Sequence, residues 1–543
     1  MNKPSVMKHQ FSQVPQVAIP RSTFKRDHTY KTTFDAGKLI PFYADEVLPG
    51  DSVNLNATLF GRLATPLAPI MDNIYLDTHY FFVPNRLIQD NFKKMMGEQK
   101  NPSDSTDYLV PQLVDNNNTG FAEGSLEDYL GLPIANQATG LSVSAYWRRA
   151  YGLIWNEFFR DQNLQDSVEV ATDQGPDNLS SVDYQILPRG KRHDYFTSAL
   201  PWPQKGPGVE LPLAGEAPIY GNDNTGIRLK GIDSGAGGRL MRYDSVGLTT
   251  TSGFNNGEDV NLPTKASGID SQIYTDLSQA EPVTINELRK AFALQKLAEK
   301  NARSGTRYTE IIKGHFNVTS PDARLQRPEF LGGGSSRINI TPVAQTSASN
   351  LLARTPPQTS EASTPQGTLA GYGTFANSGD GFTKSFTEHG VIIGLVSARA
   401  DLTYQNGVDR MFNRKTKYDF YWPTLAHLGE QEILNKEIYA DGTTANDEGV
   451  FGYQERWSEY RYKNSKITSK FRSNASGSLD LWHLSQEFAD TPTLSDEFIK
   501  EQPPIDRVIA VQSEPQFIMD SHIQCRTARP MPTYSVPGLG HNL

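Results

Sequence analysis

One cysteine, Cys525, is all that the 543 residues hold. A single thiol builds neither an internal disulfide framework nor a cysteine-based zinc site, and it fits assembly in a reducing compartment. No run of about 18 apolar residues occurs, so nothing spans a membrane as a helix, and the opening residues lack the apolar stretch of a signal peptide. Positive charge is short as well: 52 Lys and Arg face 61 Asp and Glu, a net charge of −9. A protein coating nucleic acid with its whole surface would be basic, so any such contact is local or supplied by a basic partner. Catalytic signatures are missing too. The Gly-rich piece Leu331–Ser336 lacks the GxxxxGK[ST] spacing and reads as a loop. Glu388-His389 has no second His at ligand spacing, and His427 and His483 stand alone, so neither metal nor cofactor is expected. No GxSxG elbow is present, and an enzyme is a poor reading.

What remains is a strand-forming composition. Hydrophobic residues make up 37% and charged ones 21%, enough for a packed core and too polar for a membrane protein. Aromatics reach 10%, and 44 Gly with 34 Pro predict many turns. Val53, Leu55, Ala57 and Leu59 alternate with Asn54, Asn56 and Thr58, the period of a half-buried strand. Ile74–Val83 reads as a second, aromatic-rich strand, and Val391–Val396, apolar at every position but Gly394, as one sandwiched between two layers. Arg507–Val511 and Phe517–Ile523 add two more. Helices are few: Ser144–Phe159, apolar at helical spacing, and a run opened by the capping box Thr284–Glu287, with Ile285, Leu288, Phe292 and Leu297 near one face and an end near Arg303. Strands at both ends of the chain with long non-periodic stretches between them predict one antiparallel β-sandwich whose connections carry large insertions. Residues 206–283, with five basic and ten acidic side chains, are the clearest insertion; 332–381 reads as a second loop-like tract.

Basic residues concentrate in two places. Residues 1–32 hold Lys3, Lys8, Arg21, Lys25, Arg26 and Lys31 against the lone Asp27, and Pro4, Pro15 and Pro20 deny them a regular helix. They read as an extended arm that faces DNA or ties subunits together. Arg189, Lys191 and Arg192 form the densest basic cluster, either a phosphate contact or an ordinary solvated or salt-bridged loop. Trp202 and Tyr421-Trp422-Pro423 are stiff aromatic segments suited to a core or to a buried interface.

Several long segments then carry a resemblance. YKTTFDAGKLIPFYADEVLPGD (30–51), RLATPLAPIMDNIYLDTHYFFVPNRL (62–87), RGKRHDYFTSALPWPQKGP (189–207), GTRYTEIIKGHFNVTSPDARLQRPEFLGGGS (305–335), GLVSARADLTYQNGVDRMFNRKTKYDFYWP (394–423) and the tail 513–543 resemble, in order, the major capsid proteins of the gokushovirus branch of the Microviridae. The likeness lapses mainly in 208–283, 345–367 and 440–449. The resemblance implies an all-β, eight-stranded viral jelly roll with large loop insertions and a few short helices. It also implies a T=1 shell of sixty copies around a circular single-stranded DNA genome, assembled in a bacterial cytoplasm. Implied partners are a small basic DNA-binding protein, a DNA pilot protein, an internal scaffolding protein and a host surface receptor. On this reading 1–32 is the arm, 33–207 the first part of the jelly roll with a helical insertion, 208–283 a protrusion beside a threefold axis, and 284–543 the remaining insertions and strands. Tyr220, Leu240, Met241, Phe254 and Ile273 are the apolar residues expected to pack around that axis. A carbohydrate-binding jelly roll and a hydrolase on the same sandwich are the rivals; fold alone does not decide among them, but a compact lectin does not need roughly half its chain outside the sandwich.

Overall fold

Twelve residues, Ser52–Leu63, form a strand in which every second side chain is buried from Val53 to Leu63 and every second one from Asn54 to Arg62 is exposed. That alternation sets one face of a sheet on a core. The computed structural model describes residues 20–115, 120–134, 140–178, 185–206, 285–303, 308–317, 326–344, 346 and 369–534. Between 206 and 285 it also describes the strands Glu216–Pro218, Arg242–Asp244, Gly247–Thr249 and Tyr274–Asp276. Two units divide the chain: Met1–Pro203 with Ser304–Leu543, and Gln204–Arg303.

The first unit is built on nine strands: β1 (Ser22–Lys25), β2 (His28–Phe34), β3 (Ile40–Val47), β4 (Ser52–Leu63), β5 (Ile74–Pro84), β6 (Glu329–Ala344), β7 (Leu369–Ser385), β8 (Gly390–Ala400) and β9 (Phe517–Arg529). Every pairing is antiparallel. One run orders β2-β9-β4-β7, with β1 beside β2 on β9, and the other orders β3-β8-β5-β6. The long β6 joins them: its first half pairs β5 and its second half pairs β7. In chain order the eight strands β2 to β9 alternate between the two runs except at β5 to β6, neighbours in the same run, which is the connectivity of a jelly roll. The expected all-β, eight-stranded jelly roll is therefore the fold.

Phe34, Phe42, Leu55, Leu59, Tyr80, Phe375 and Met519 fill the space between the runs. β8 is buried on both faces. Ile392, Val396 and Ala398 join that core, while Val391, Ile393 and Leu395 face a second one made by Phe81, Tyr151, Ile154 and Trp155. The helix α1 (Tyr146–Ile154), continued by a π-turn over Trp155–Phe159, covers this outer side. A third cluster gathers Tyr195, Phe196, Tyr404, Ile433, Phe451 and Phe498 from the insertions.

Three expectations are corrected. The tract 332–381, including the Gly-rich Leu331–Ser336, is not loop: β6 and β7 occupy both its ends as long strands. Its glycines mark close approach. A Cβ on Gly333 would lie 2.1 Å from the Thr78 carbonyl oxygen, and one on Gly381 would lie 1.9 Å from that of Leu55. Arg507–Val511 is not a strand. A 3-10 turn covers Ile505–Arg507, and only Ile509 bridges, to Pro66, although Val508 and Ile509 are buried. Pro503 and Pro504 just before it remove two ladder donors. The arm does not extend through residue 32: from Ser22 onward the chain is strand, paired with β9. In the second unit, α2 (Ile285–Arg303) forms as expected, and Phe292, Leu294 and Leu297 on it are exposed.

Candidate DNA-facing and assembly surfaces

The basic cluster at 189–192 is split by burial. Asp77 of β5 is a carboxylate inside an apolar strand and must be neutralised there. Arg189 Nη1 donates to it at 2.5 Å and to Ser397 Oγ at 3.0 Å; Arg399 Nε donates to it at 2.7 Å and Ser335 Oγ at 2.5 Å. Burial opposes the Asp77 charge, yet Arg189 and the other donors outweigh it and hold the carboxyl below its usual range. Lys191 is buried as well, its Nζ donating to Gln486 at 2.8 Å and lying 4.4 Å from the Phe498 ring centre. Burial pulls its pKa down to about 8, with Glu501 and Asp194 acting the other way. Only Arg192 of the three faces solvent. Sequence reading missed Asp77 as the partner. Its signal was present, one acidic residue in the strand pattern Ile74–Val83.

The arm candidates divide similarly. Arg26 makes a two-pronged contact with Asp45 at 2.9 and 2.5 Å and reaches Thr527 Oγ1 at 2.8 Å. It locks β1 to β3 and β9 rather than reaching outward. Arg21 donates to the Gly50 carbonyl at 2.6 Å and to Ser52 Oγ at 2.9 Å but is exposed, and Lys25 is exposed beside Asp27 at 3.1 Å. Lys3 and Lys8 lie outside the described residues, as do Tyr220, Leu240, Met241, Phe254 and Ile273. What is described of that insertion are two short antiparallel pairs, Glu216–Pro218 with Tyr274–Asp276 and Arg242–Asp244 with Gly247–Thr249. The first pair brings the two ends of 219–273 together.

An apolar surface stands out in the stretch after β8. Phe412 is 71% exposed, and Tyr418, Phe420, Tyr421, Trp422 and Leu428 are about half exposed. Arg414 holds two rings of this region, its guanidinium 5.1 Å from the centre of Phe420 and 4.6 Å from that of Tyr460. Trp422 is fixed by a bond from Nε1 to the Lys417 carbonyl at 2.8 Å. Rigid aromatics exposed along one stretch of chain suit an interaction surface. Of the two aromatic segments singled out in the sequence, Trp202 is half-buried and Tyr421-Trp422 lies on this surface. Among the described residues no group of three side chains is placed to hold a metal ion, and no helix is long and apolar enough to cross a membrane.

Comparison with known proteins sets this jelly roll among phage capsid proteins. The family model "Capsid protein (F protein)" matches residues 12–539. The chain is 43% identical to the capsid protein VP1 of Chlamydia phage 1, over 99% of this chain and 98% of that one. It is 45% identical to VP1 of Bdellovibrio phage phiMH2K over 97% of both, and 36% identical to VP1 of Spiroplasma virus 4 over 99% of both. With the fold and the whole-length match in agreement, the chain belongs to the phage capsid protein (F protein) family, as a major capsid protein of the Microviridae with a structural rather than an enzymatic role.

Proposed function

We propose that sixty copies of this chain close into a small icosahedral T=1 shell around a circular single-stranded DNA, assembled in the cytoplasm of a bacterial host. The observation that supports this best is the likeness to phage capsid proteins from residue 12 to 539, carried by a jelly roll. The aromatic surface around Phe412 and Trp422 supplies subunit contacts, and closed symmetry lets one patch serve every copy. Lys3, Lys8, Arg21, Lys25 and Arg192 are the cations proposed toward DNA; Arg189, Lys191 and Arg26 support the fold. A net charge of −9 leaves neutralisation of the genome to other components, and a small basic DNA-binding protein fills that need. A pilot protein and an internal scaffolding protein are the other proposed partners.

The insertion 208–283 is proposed as a protrusion beside a threefold axis that meets a host receptor. Its polar, acidic composition suits a surface loop, and Tyr220, Leu240, Met241, Phe254 and Ile273 give symmetry mates something to pack. Electron microscopy of the purified full-length chain tests the shell, and nuclease digestion of its particles tests the enclosed DNA. Isometric particles with protected single-stranded DNA are expected; soluble monomers with no particles under assembly conditions overturn the reading. Replacing 221–270 by a short Gly/Ser linker is expected to leave shells intact and to abolish attachment to the host. Lost assembly with normal attachment of the surviving particles refutes that role.

A further inference from the structure

Three distant segments bring an amine, an amide and an acid to one small cavity. Gly190 bridges Lys500 in antiparallel register. The Lys191 N–H donates to the Ile499 carbonyl and the Glu501 N–H to that of Arg189, each at 2.8 Å. In such a pairing Lys191 and Glu501 are diagonal neighbours on one face, within reach of each other's long side chains. The short helix Asp496–Ile499, capped by Ser495, sets the Phe498 ring over Lys191 Nζ, 4.4 Å from its centre. From the third segment Gln486 Oε1 accepts from Nζ at 2.8 Å. Lys191, Gln486 and Glu501 line a cavity of about 20 Å³, room for one water-sized molecule.

The site is built for neutral groups. Lys191 is 8% exposed and Glu501 3%. An ammonium carries three donors. Among the described residues Nζ finds one acceptor, the uncharged Gln486 oxygen, and forms no ion pair. The nearby carboxylates are engaged elsewhere: Asp194 accepts from Tyr404 at 2.5 Å and from Thr197 Oγ1 at 3.0 Å, and Glu497 pairs with Lys500 at 3.5 Å. Glu501 Oε1 accepts from the Ala400 N–H at 3.2 Å, while Oε2 has no hydrogen-bond partner among the described residues. A free amine and a carboxylic acid suit these surroundings better than two underbonded ions. Burial draws Lys191 down to about 8, against Glu501, Asp194 and Glu497, and pushes Glu501 up. A buried neutral amine held against a fixed amide is a nucleophile beside an electrophile.

We propose that Lys191 and Gln486 close an isopeptide bond inside the folded chain, with Glu501 carrying the protons. Nζ bonds to Gln486 Cδ, the Cδ–Nε2 bond breaks and ammonia leaves, with no electrons gained or lost. Glu501 gives its proton to the departing nitrogen and takes one from Nζ, ending as it began. The bond joins residues 295 apart, on either side of the insertion 208–283. Closing so long a loop restricts the unfolded chain as a disulfide would, in a chain whose one thiol is free and buried.

Mass spectrometry of the folded full-length chain, denatured only for the measurement, tests it. The intact mass is expected to fall below the sequence mass by one ammonia, and a digest to yield a branched peptide joining Lys191 to Gln486. Lys191→Met and Gln486→Met are each expected to keep the mass their sequences predict. Glu501→Gln keeps the shape of the side chain and removes the acid. Its cross-linked fraction, followed from synthesis onward, is expected to grow about a hundredfold more slowly or worse. The digest of the unaltered chain decides even where a variant does not fold. Full sequence mass with linear peptides at both positions overturns the inference and leaves the pair a hydrogen bond. So does an ammonia lost as a cyclic imide at Asn256-Gly257 or Asn406-Gly407 with Lys191 unmodified. A bond that forms at the same rate in Glu501→Gln overturns the role of the acid.

Discussion

Arg149 and Asp177 form a fully buried two-pronged pair, Nε to Oδ2 at 2.8 Å and Nη2 to Oδ1 at 2.5 Å. The other three N–H groups of the guanidinium go to the Ile88 carbonyl at 3.0 Å, the Asp173 carbonyl at 2.8 Å and Asp173 Oδ1 at 3.0 Å. All five donors are used, and α1 is thereby tied to the chain after β5 and to the short strand Asp177–Asn178. Arg149→Met leaves Asp177 buried and unpaired. The expected loss is about 3–5 kcal/mol of stability, read from urea unfolding of the full chain. A loss below about 1 kcal/mol contradicts the pairing. The double variant Arg149→Met, Asp177→Asn is expected to recover part of it.

Gly333→Ala is expected to weaken the join between the two runs of strands. The added methyl meets the Thr78 carbonyl oxygen at 2.1 Å and its carbon at 3.0 Å, both backbone, so β6 must move off β5. Overpacking of this kind costs about 1–3 kcal/mol or more. A lowered melting temperature with faster amide exchange in β5 and β6 is the expected result. An unchanged exchange pattern in these strands speaks against the close approach.

The sequence shows β4 and β8 because burial writes itself there as period two and as an unbroken apolar run. It hides β6 and β7 because the glycines that let β5, β6, β7 and β4 approach closely are the residues that ordinarily mark loops. Cations are hard to read for a related reason. Arg189 and Asp77 are 112 residues apart, and Arg149 and Asp177 are 28 apart, so no local pattern shows that the positive charge is already used. Arg526, by contrast, shares its strand only with Arg529 among Lys and Arg and forms no basic run to notice. The aromatic surface after β8 was legible as stiff and apolar, but whether it closes a core or meets a neighbour depends on packing, which only coordinates show.

Stability is expected to fall in mild acid through His79. Its ring lies among Phe159, 5.4 Å edge-on, Phe330 at 6.2 Å and Phe81 at 6.4 Å. Burial first, and the charge of Arg189 second, lower its pKa to about 4. An unfolded His titrates near 6.5, so between those values the unfolded chain binds the extra proton. The contribution is complete above about pH 6.5 and is lost as pH falls toward 4, with a ceiling of ~3 kcal/mol that residual solvation reduces. Glu127, Glu437 and Glu501, pushed up by burial, act in the opposite sense. The informative measurement is therefore His79→Phe against the unaltered chain from pH 7 to 4. The variant is expected to lose less stability over that range, and parallel curves would falsify the assignment.

Assembly is expected to depend on the aromatic surface while the fold does not. Phe412 and Trp422 contribute little to any internal core, because Phe412 is mostly exposed and Trp422 about half exposed. Burying such a side chain against a neighbour is worth roughly 1.5–3 kcal/mol. The bond from Trp422 to the Lys417 carbonyl holds that ring in place beforehand, and Arg414 holds the nearby Phe420 and Tyr460, so little rotamer entropy is lost there on contact. The double variant Phe412→Ser, Trp422→Ser should therefore keep the circular dichroism and melting temperature of the unaltered chain. Its yield of closed particles in sedimentation should fall at least tenfold, since about 1.4 kcal/mol per contact already shifts an equilibrium that far. Arg149→Met provides the contrast, because it lowers particle yield only through the fold and shifts the melting temperature with it. A Phe412, Trp422 variant that melts early places these rings in a core after all, and one that assembles normally removes this surface from the shell contacts.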